Sequence, residues 1–253
     1  SLILPPTKRI SIFLFLKIEN KIFIFSSSIK VFILLSLISS YFSKTIYITL
    51  MMSMLSKENT NEIFEDIKKN LLRGVKDRKH SFHTPVFCNI NDQKAIESRV
   101  VVLREFDTLN MNLNFHTDFR SPKIAGLMKN NNSLFVFYDQ KLKVQLRIKA
   151  ISSINNQNII TEKMWERTKL ISRKCYLTQK TPSSVTSLPE DGIDDTLKGK
   201  EPTLEESEKG YKNFTVVQNK IHQIDWLYLA ANGHRRLKII LKDNIPSFNW
   251  IIP

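Results

Sequence analysis

The residues of this chain that could hold an anion lie in widely separated segments. Residues 99–104 read R-V-V-V-L-R, a strand-like run between two arginines, and residues 116–123 read H-T-D-F-R-S-P-K before a helix-like segment. Cationic and hydroxyl side chains at the start of a helix are well suited to hold a phosphate. Gln145 and the run 234–236 (H-R-R) lie far along the chain, so only a folded site could join them. The pattern predicts a bound phosphorylated cofactor.

The overall charge agrees with an anionic ligand but does not choose one. The chain has 38 Lys and Arg residues against 24 Asp and Glu residues, a net charge of +14. Such a surplus attracts nucleic acid, membrane surfaces or phosphorylated small molecules. The sequence has no block of Lys and Arg and no aromatic RNA-binding motif, so no nucleic-acid partner is expected.

The two cysteines, Cys88 and Cys175, form no C-x-x-C pair and have no paired histidines near them. A metal site is therefore not expected, and neither is a disulfide framework. We interpret both cysteines as buried or half-buried thiols in a reducing compartment, and we expect the protein to be cytoplasmic.

The first fifty residues have a different composition from the rest, with no Gly, Ala, Asp, Gln or His. Three interpretations are open. The favoured one is translated upstream sequence, with the natural start at Met51, Met52 or Met54. The second is a membrane anchor, since residues 31–43 and 45–56 are apolar runs interrupted by Lys44, each shorter than the ~20 residues that span a bilayer. The third is a secretory signal, which lacks the usual cleavage site.

We therefore expect two regions: residues 1–53 as an apolar extension outside the fold, and residues 54–253 as one folded domain. Hydrophobic periodicity and turn residues predict the elements of that domain. The first predicted helix, 59–73, has an apolar stripe at Ile63, Phe64, Ile67 and Leu71, with Asn59 or Thr60 as cap and Gly74 as stop. The second, 121–129, has Ser121 as N-cap and Pro122 at its first position, and the third is 161–171. The predicted strands are 82–90, 97–106, 110–117, 134–138, 143–154, 213–219, 223–230, 234–241 and 248–252. Residues 181–212 are predicted to be a flexible acidic loop, whose acids are interpreted as a solvated face. The fold class is mainly β with short helices (α+β), an antiparallel barrel.

In this order and spacing, the motifs resemble the pyridoxamine 5′-phosphate oxidase family of FMN-binding split β-barrels. The resemblance covers about residues 60–253. It is carried by four motifs: R-V-V-V-L-R at 99–104, H-T-D-F-R-S-P-K at 116–123, Q-L-R at 145–147, and I-D-W at 224–226 followed by H-R-R at 234–236.

The resemblance implies FMN as cofactor and a homodimer with FMN at the interface. Gln145 and Arg236 would come from the partner subunit. The residues that it implies for the cofactor are Arg99, Val100, Leu103, Arg104, His116, Thr117, Ser121, Lys123, Gln145, Trp226 and Arg236. Taken singly, each has an ordinary structural interpretation, and for Trp226 this is core packing. In a regular strand Arg99 and Arg104 point to opposite faces, so both reach one phosphate only if the strand bulges or the ligand wraps its end.

The implied reaction is oxidation of a phosphorylated or otherwise anionic small molecule by hydride transfer to FMN, with oxygen as acceptor. Arg173 matches the family's arginine for the substrate phosphate, and His234 matches the histidine over the substrate ring. Asn232 stands where the true oxidases have an arginine, Arg104 replaces the usual lysine, and Lys169 replaces a tyrosine, so specificity for vitamin B6 does not follow. Two alternatives are an NAD(P)H-dependent reductase or stress-type flavoprotein of the same fold, and a non-catalytic flavin-binding module.

Overall fold

The computed structural model describes residues 14–18, 21–25, 44–45 and 58–253. The chain divides into two compact units, Ser1–Ile63 and Phe64–Pro253. In the first unit, β1 (Leu14–Ile18) and β2 (Lys21–Phe25) form an antiparallel pair. The remaining interpretations of residues 1–53 lie mostly outside the described residues. Within the described part of the chain, no helix combines the length and the apolar character needed to cross a bilayer.

The first long helix, α1, spans Thr60–Lys76. Its predicted start is confirmed, because the Asn59 side chain accepts hydrogen bonds from the backbone N–H groups of Asn61 and Glu62. The predicted stop at Gly74 is wrong, since the helix continues for two more residues. Gly74 instead allows a close approach: a Cβ there would lie 2.7 Å from the carbonyl oxygen of Phe82.

The rest of the described chain is mostly antiparallel sheet with short helices. The strands are β3 (Val86–Ile90), β4 (Ile96–Val100), β5 (Glu105–Asp107), β6 (Asn112–Asp118), β7 (Asn132–Asp139), β8 (Val144–Asn156), β9 (Phe214–Tyr228), β10 (Arg235–Lys242) and β11 (Ile245–Ile251). The later α-helices are α2 (Pro122–Lys129), α3 (Ile159–Arg167), α4 (Leu170–Arg173) and α5 (Leu204–Glu208). Short 3₁₀ turns lie at Ser81–His83, Lys174–Tyr176, Asp195–Leu197 and Tyr211–Asn213.

The sheet runs in the order β11-β10-β9-β8-β7-β3-β4. One edge of the long strand β9 pairs with β8 along its length. Its other edge pairs with two strands in turn, β6 and β10. Its first half, 214–220, pairs with β6, and its second half, 223–228, pairs with β10. Because β9 changes neighbours in this way, the sheet splits. Among the described strands it does not close into a complete barrel.

Two predicted elements are divided in the structure. The predicted helix 161–171 is two helices, α3 and α4. The predicted loop 181–212 is not without structure, since it contains α5, whose start is a capping box between Thr203 and Glu206. That box satisfies backbone N–H groups at the helix start.

The predicted strand 97–106 is also interrupted, between β4 and β5. The backbone N–H of Val101 donates to the Pro85 carbonyl, while that of Arg104 donates to the Asn114 carbonyl on β6. The chain therefore leaves β3 and joins β6 within residues 101–104. Arg99 and Arg104 consequently sit on opposite sides of this crossing.

Three phenylalanine rings pack together in the core between β3, β6 and β7. Phe87, Phe115 and Phe135 are each at most 1% exposed. Their ring centroids lie 4.8 to 6.3 Å apart, in tilted and edge-to-face arrangements. Such ring pairs add to the free energy of burial. The core thereby fixes the spacing of β3, β6 and β7, which carry or adjoin the predicted site.

Helix α2 packs closely against β3 at Gly126, which has no side chain. A Cβ at Gly126 would lie 2.7 Å from the carbonyl oxygen of Ile90 and 2.9 Å from the Asn89 side chain. We expect Gly126→Ala to lower the free energy of unfolding by about 1–3 kcal/mol, because backbone must shift to admit the methyl group. Urea denaturation measures this, with the exposed Ala125→Ser as control. If Gly126→Ala and the wild type had equal free energies of unfolding, α2 would be able to move away from β3 without a loss of stability.

Candidate functional site

A lysine and two hydroxyl groups meet at the N-terminus of α2. The Lys123 ammonium donates to Thr117 Oγ1 at 2.9 Å and to Ser121 Oγ at 2.5 Å. Ser121 occupies the predicted N-cap position, but its side chain makes no capping bond. Thr117 lies near the end of β6, so the strand and the helix together build the cluster. We call Lys123, Thr117, Ser121 and the nearby Arg99 the Lys123 cluster.

The charge of this cluster is incompletely balanced. Burial, followed by the positive charge of Arg99, lowers the pKa of Lys123 to about 8. Among the described residues, no carboxylate forms an ion pair with Lys123. A cation that is partly removed from water and bonded only to hydroxyl groups is stabilised by an anion. The N-terminus of α2 adds its partial positive charge.

Arg99 is held in place by two residues that the sequence did not indicate. Its guanidinium donates to Glu97 Oε2 at 2.7 Å and, through a short hydrogen bond, to Asn89 Oδ1. It also lies over the Phe87 ring, 5.9 Å from the centroid. The E-x-R spacing was the available signal for Glu97, because residues two apart on a strand share a face. Asn89 comes from the neighbouring strand and had no such signal.

Arg104 and His116 form a second group, on the other side of the crossing. The His116 ring packs edge-on against Phe214, with centroids 4.8 Å apart, and its Nε2 atom is buried without a hydrogen-bond partner in the described structure. Burial, and then the charge of Arg104, lower the pKa of His116 to about 3. His116 is therefore neutral at ordinary pH. Since neighbouring residues on a strand face opposite ways, His116 and Thr117 serve different sides of β6.

The two apolar residues predicted near the cofactor differ in their exposure. Val100, at the end of β4, is 63% exposed, whereas Leu103 is 1% exposed. The Leu103 N–H is bonded to the His83 carbonyl. Val100 is thus accessible to a ligand through its side chain, while Leu103 packs in the core.

The predicted residues from the second half of the chain lie on β8, β9 and β10. Gln145 is half-buried and pairs in register with Leu227. Trp226 is 2% exposed and stacks on Tyr228 with 6.1 Å between the ring centroids. In the single chain Trp226 therefore packs in the core, which was the alternative interpretation. Its contact with a flavin, and those of Gln145 and Arg236 across a dimer, stay predictions.

Arg173 has a different environment from the one predicted. It is 5% exposed, and its guanidinium lies over the Trp165 ring at 4.5 Å. It donates to Glu208 Oε1 at 2.7 Å, to the Trp165 carbonyl at 2.7 Å and to the Thr168 carbonyl at 3.0 Å. These bonds join α3 to α5. They give Arg173 a structural role in the single chain, and its predicted contact with a substrate phosphate stays a prediction.

His234, the other predicted substrate residue, is exposed and lies just before β10. It follows Gly233, whose φ of +122° lies in the region that favours glycine. The exposed position leaves the imidazole accessible to a ligand.

Arg120 joins the turn after β6 to a distant segment of the chain, a contact that was not predicted from the sequence. Its guanidinium donates to both carboxylate oxygens of Asp118, at 3.0 and 2.6 Å, and to the Thr178 carbonyl at 3.0 Å. The Phe119 N–H donates to the Asn213 carbonyl at 2.7 Å. The turn between β6 and α2 is therefore tied to both ends of the segment 178–213. The D-x-R spacing was the only local signal.

The comparisons with known proteins agree with this fold. Residues 61–155 match the family model described as "Pyridoxamine 5'-phosphate oxidase, FMN-binding domain". The match includes the Lys123 cluster and Gln145, but not Trp226, His234 or Arg236. No curated protein matches the sequence.

Two solved structures resemble the chain over most of their length. One is a pyridoxamine 5′-phosphate oxidase-related, FMN-binding protein from Nostoc punctiforme, with 18% identity, a TM-score of 0.60, and coverage of 75% of this chain and 96% of that one. The other is PhzG from Burkholderia lata, solved with tetrahydrophenazine-1-carboxylic acid, with 14% identity, a TM-score of 0.58, and coverage of 75% and 92%. At these identities the likeness concerns the fold. The resemblance to the pyridoxamine 5′-phosphate oxidase family is thereby confirmed over residues 61–155, and the chain has the FMN-binding split-barrel fold.

Proposed function

We propose that this protein binds FMN through the Lys123 cluster and is an FMN-dependent oxidoreductase. It oxidises a phosphorylated or otherwise anionic small molecule and passes the electrons to oxygen. The observation that carries the proposal is the Lys123 ammonium, which is partly desolvated and bonded to two hydroxyl groups. The match of residues 61–155 to an FMN-binding domain supports the choice of FMN as the phosphorylated cofactor.

The residues present fit the phosphate of FMN. Lys123 supplies a positive charge that no carboxylate pairs in the described structure, and Arg99 adds a second one that is shared with Glu97. Thr117 and Ser121 supply hydroxyl groups, and α2 supplies the helix N-terminus. Hydrogen bonds that the Arg99 guanidinium donates to Asn89 and Glu97 hold it beside the cluster. In the proposed arrangement, Gln145 and Arg236 approach the flavin from the second subunit of a homodimer.

The cofactor and the protein have separate tasks in the proposed reaction. Bound FMN would supply the acceptor for a hydride and the route to oxygen. The Lys123 cluster anchors the phosphate, and the buried rings beneath it keep the strands that carry the cluster in position. His234 is accessible at the β9–β10 turn and would orient the substrate.

Purified protein tests the proposal through its visible spectrum. A bound flavin absorbs near ~450 nm, and anaerobic addition of a substrate that reduces it bleaches this band. Pyridoxamine 5′-phosphate is the first anionic probe and NADPH the second. Bleaching by the anionic probe, followed by recovery of the band and formation of hydrogen peroxide in air, would support the oxidase. A colourless protein that cannot be reconstituted with FMN would contradict the cofactor assignment, and bleaching by NADPH alone would favour the reductase.

We expect His234→Ala to leave FMN affinity unchanged and to slow turnover by about tenfold or more, because a substrate that is held less precisely reacts more slowly. The reason is that His234 is exposed and, within the described structure, takes no part in the hydrogen bonds of the Lys123 cluster, so its loss does not change the phosphate contacts. Stopped-flow reduction of the FMN-loaded variant measures the rate, with Val185→Ala, at a position that is 97% exposed, as control. Equal rates for His234→Ala and wild type would remove this residue from the substrate site.

A further inference from the structure

The turn between β6 and α2 carries a buried carboxylate that is paired with an arginine. Asp118 is 8% exposed, and its two carboxylate oxygens accept hydrogen bonds from Arg120 Nε at 3.0 Å and Arg120 Nη2 at 2.6 Å. Asp118 Oδ1 also accepts from the Arg120 backbone N–H at 2.8 Å. The proposed phosphate contacts use Thr117 and Ser121, which flank this ion pair in the sequence, but they give the pair itself no task.

The ion pair lies on the opposite side of β6 from the phosphate contacts. Thr117 and Asp118 are neighbours on a strand, so their side chains leave opposite faces. Thr117 accepts from Lys123, whereas Arg120 donates to the Thr178 carbonyl at 3.0 Å and to Thr178 Oγ1 at 2.9 Å. The Arg120 guanidinium is thus bonded to Asp118 and Thr178, and any effect that it has on a bound phosphate is indirect.

The charge of Asp118 nevertheless acts on Lys123. Burial and then the charge of Arg99 lower the pKa of Lys123, while the carboxylates of Asp118 and Glu97 oppose that shift. In the described structure these are the charged groups that act on Lys123, Arg99 and Glu97 from β4 and Asp118 from β6. Glu97 is paired with Arg99, and Asp118 is paired with Arg120. Because each of the two carboxylates has its own arginine, the Lys123 ammonium is left for another anion.

Loss of the Arg120 charge would disturb this balance in two ways. The Asp118 carboxylate would stay buried without its guanidinium and would attract the Lys123 ammonium. It would also repel the phosphate group of a ligand bound at the Lys123 cluster. Both effects concern charge, so they act on the phosphate of FMN and not on the uncharged ring system of a flavin.

We propose that Arg120 is a positioning residue of the FMN site, which neutralises Asp118 and so leaves the Lys123 ammonium for the phosphate. This inference rests on the proposed function, since it concerns the phosphate of the proposed cofactor. Arg120 acts through Asp118 and Lys123, and it does not itself contact the cofactor.

The first measurement is made without flavin and does not depend on the proposed function. The lysines are methylated with isotopically labelled formaldehyde and followed against pH by NMR, and the Lys123 signal is recognised by its absence in Lys123→Arg. We expect Arg120→Gln to raise the pKa of Lys123 by about one unit, the lower range for a nearby opposite charge. In Asp118→Asn/Arg120→Gln the pKa should return to the wild-type value or below it, because no carboxylate remains. Arg78→Gln, which removes an exposed guanidinium, is the control.

The second measurement compares the dissociation constants of FMN and riboflavin, obtained from the quenching of flavin fluorescence. Arg120→Gln should bind FMN about tenfold more weakly, the equilibrium equivalent of one pKa unit, and riboflavin nearly as the wild type does. The double variant Asp118→Asn/Arg120→Gln should recover most of the FMN affinity. Thr178→Val removes a hydrogen-bond acceptor of Arg120 but keeps the ion pair, so it should bind FMN like the wild type.

The two measurements separate failure of this inference from failure of the proposed function. A wild type that binds no FMN would contradict the proposed function, whereas the pKa measurement would still decide whether Arg120 shields Lys123 from Asp118. An unchanged pKa of Lys123 in folded Arg120→Gln would overturn the inference. So would equal losses of FMN and riboflavin affinity that the double variant does not recover, because Arg120 would then have only a structural role.

A second pair of variants decides the question if Arg120→Gln does not fold. Arg120→Lys keeps a positive charge beside Asp118, although not the forked contact, and the double variant removes the carboxylate. Neither leaves a buried charge unpaired, so both should bind FMN nearly as the wild type does. Loss of FMN affinity in both would overturn the assignment.

Discussion

Replacing Lys123 with alanine is expected to weaken FMN binding by about tenfold to a hundredfold, while leaving riboflavin binding nearly unchanged. The variant removes a charge-assisted hydrogen bond worth ~1.5–3 kcal/mol to the phosphate, and riboflavin has no phosphate. Quenching of flavin fluorescence gives both dissociation constants. Lys129→Ala, at the exposed opposite end of the same helix, is the matched control. Equal losses for FMN and riboflavin would point to general disruption of the site and would contradict the assignment.

The same interaction has a predictable dependence on pH. The pKa of Lys123 is lowered to about 8 without a ligand, and a bound phosphate would raise it. FMN affinity should therefore be nearly constant between about pH 7, where the phosphate is already mostly dianionic, and pH 8. It should fall above pH 8, because the free protein must then take up a proton to bind. In Lys123→Arg the guanidinium stays charged, so the affinity should show no such fall. A parallel decline in the wild type and Lys123→Arg would assign the pH dependence to another group.

The largest expected loss of stability follows from Phe135→Ala. Phe135 is completely buried, and its ring contacts Phe87 at 5.0 Å and Phe137 at 6.1 Å between centroids. We expect the free energy of unfolding to fall by ~3–5 kcal/mol, because the variant loses apolar burial and leaves a cavity. Urea denaturation measures this loss. Val185→Ala, at a position that is 97% exposed, should change the stability little.

A loss below about 1.5 kcal/mol for Phe135→Ala would mean that the core collapses onto the site. That outcome would contradict the rigid aromatic support assigned to β3, β6 and β7. A destabilised but folded variant should also retain FMN less well, since Arg99 lies over the neighbouring Phe87 ring.

Local patterns in the sequence were sufficient for most of the elements. The spacing of Ile63, Ile67 and Leu71 predicted α1, and Ser121 followed by Pro122 predicted the start of α2. These signals work because helix periodicity and end effects involve residues a few positions apart. The same reasoning failed at Gly74, where the deciding contact is with Phe82, outside the helix.

The Lys123 cluster shows which contacts of the site could be predicted from residue spacing. Thr117, Ser121 and Lys123 lie within seven positions of one another, and their contact was predictable from a strand, a turn and a helix start. The relative positions of Arg99 and Arg104 were not predictable. They depend on a change of hydrogen-bonding partner within residues 101–104, from the β3 side to β6. A periodic pattern alone predicts one continuous strand there.

What the sequence determined by itself was the class of fold and the family resemblance that is confirmed over residues 61–155. It also predicted the residues for a phosphate, since these inferences depend on residue types at short spacings. Only the tertiary structure decided that the Arg173 guanidinium is hydrogen-bonded to Glu208 and to backbone carbonyls. It also decided that Arg147 and Arg236 both donate to the buried carboxylate of Asp225. The physical reason is that the partners of a charged side chain come from strands and helices far apart in sequence. The free energy of a charged side chain in the fold depends on those partners and on how deeply it is buried. Neither can be predicted from the residues next to it in the sequence.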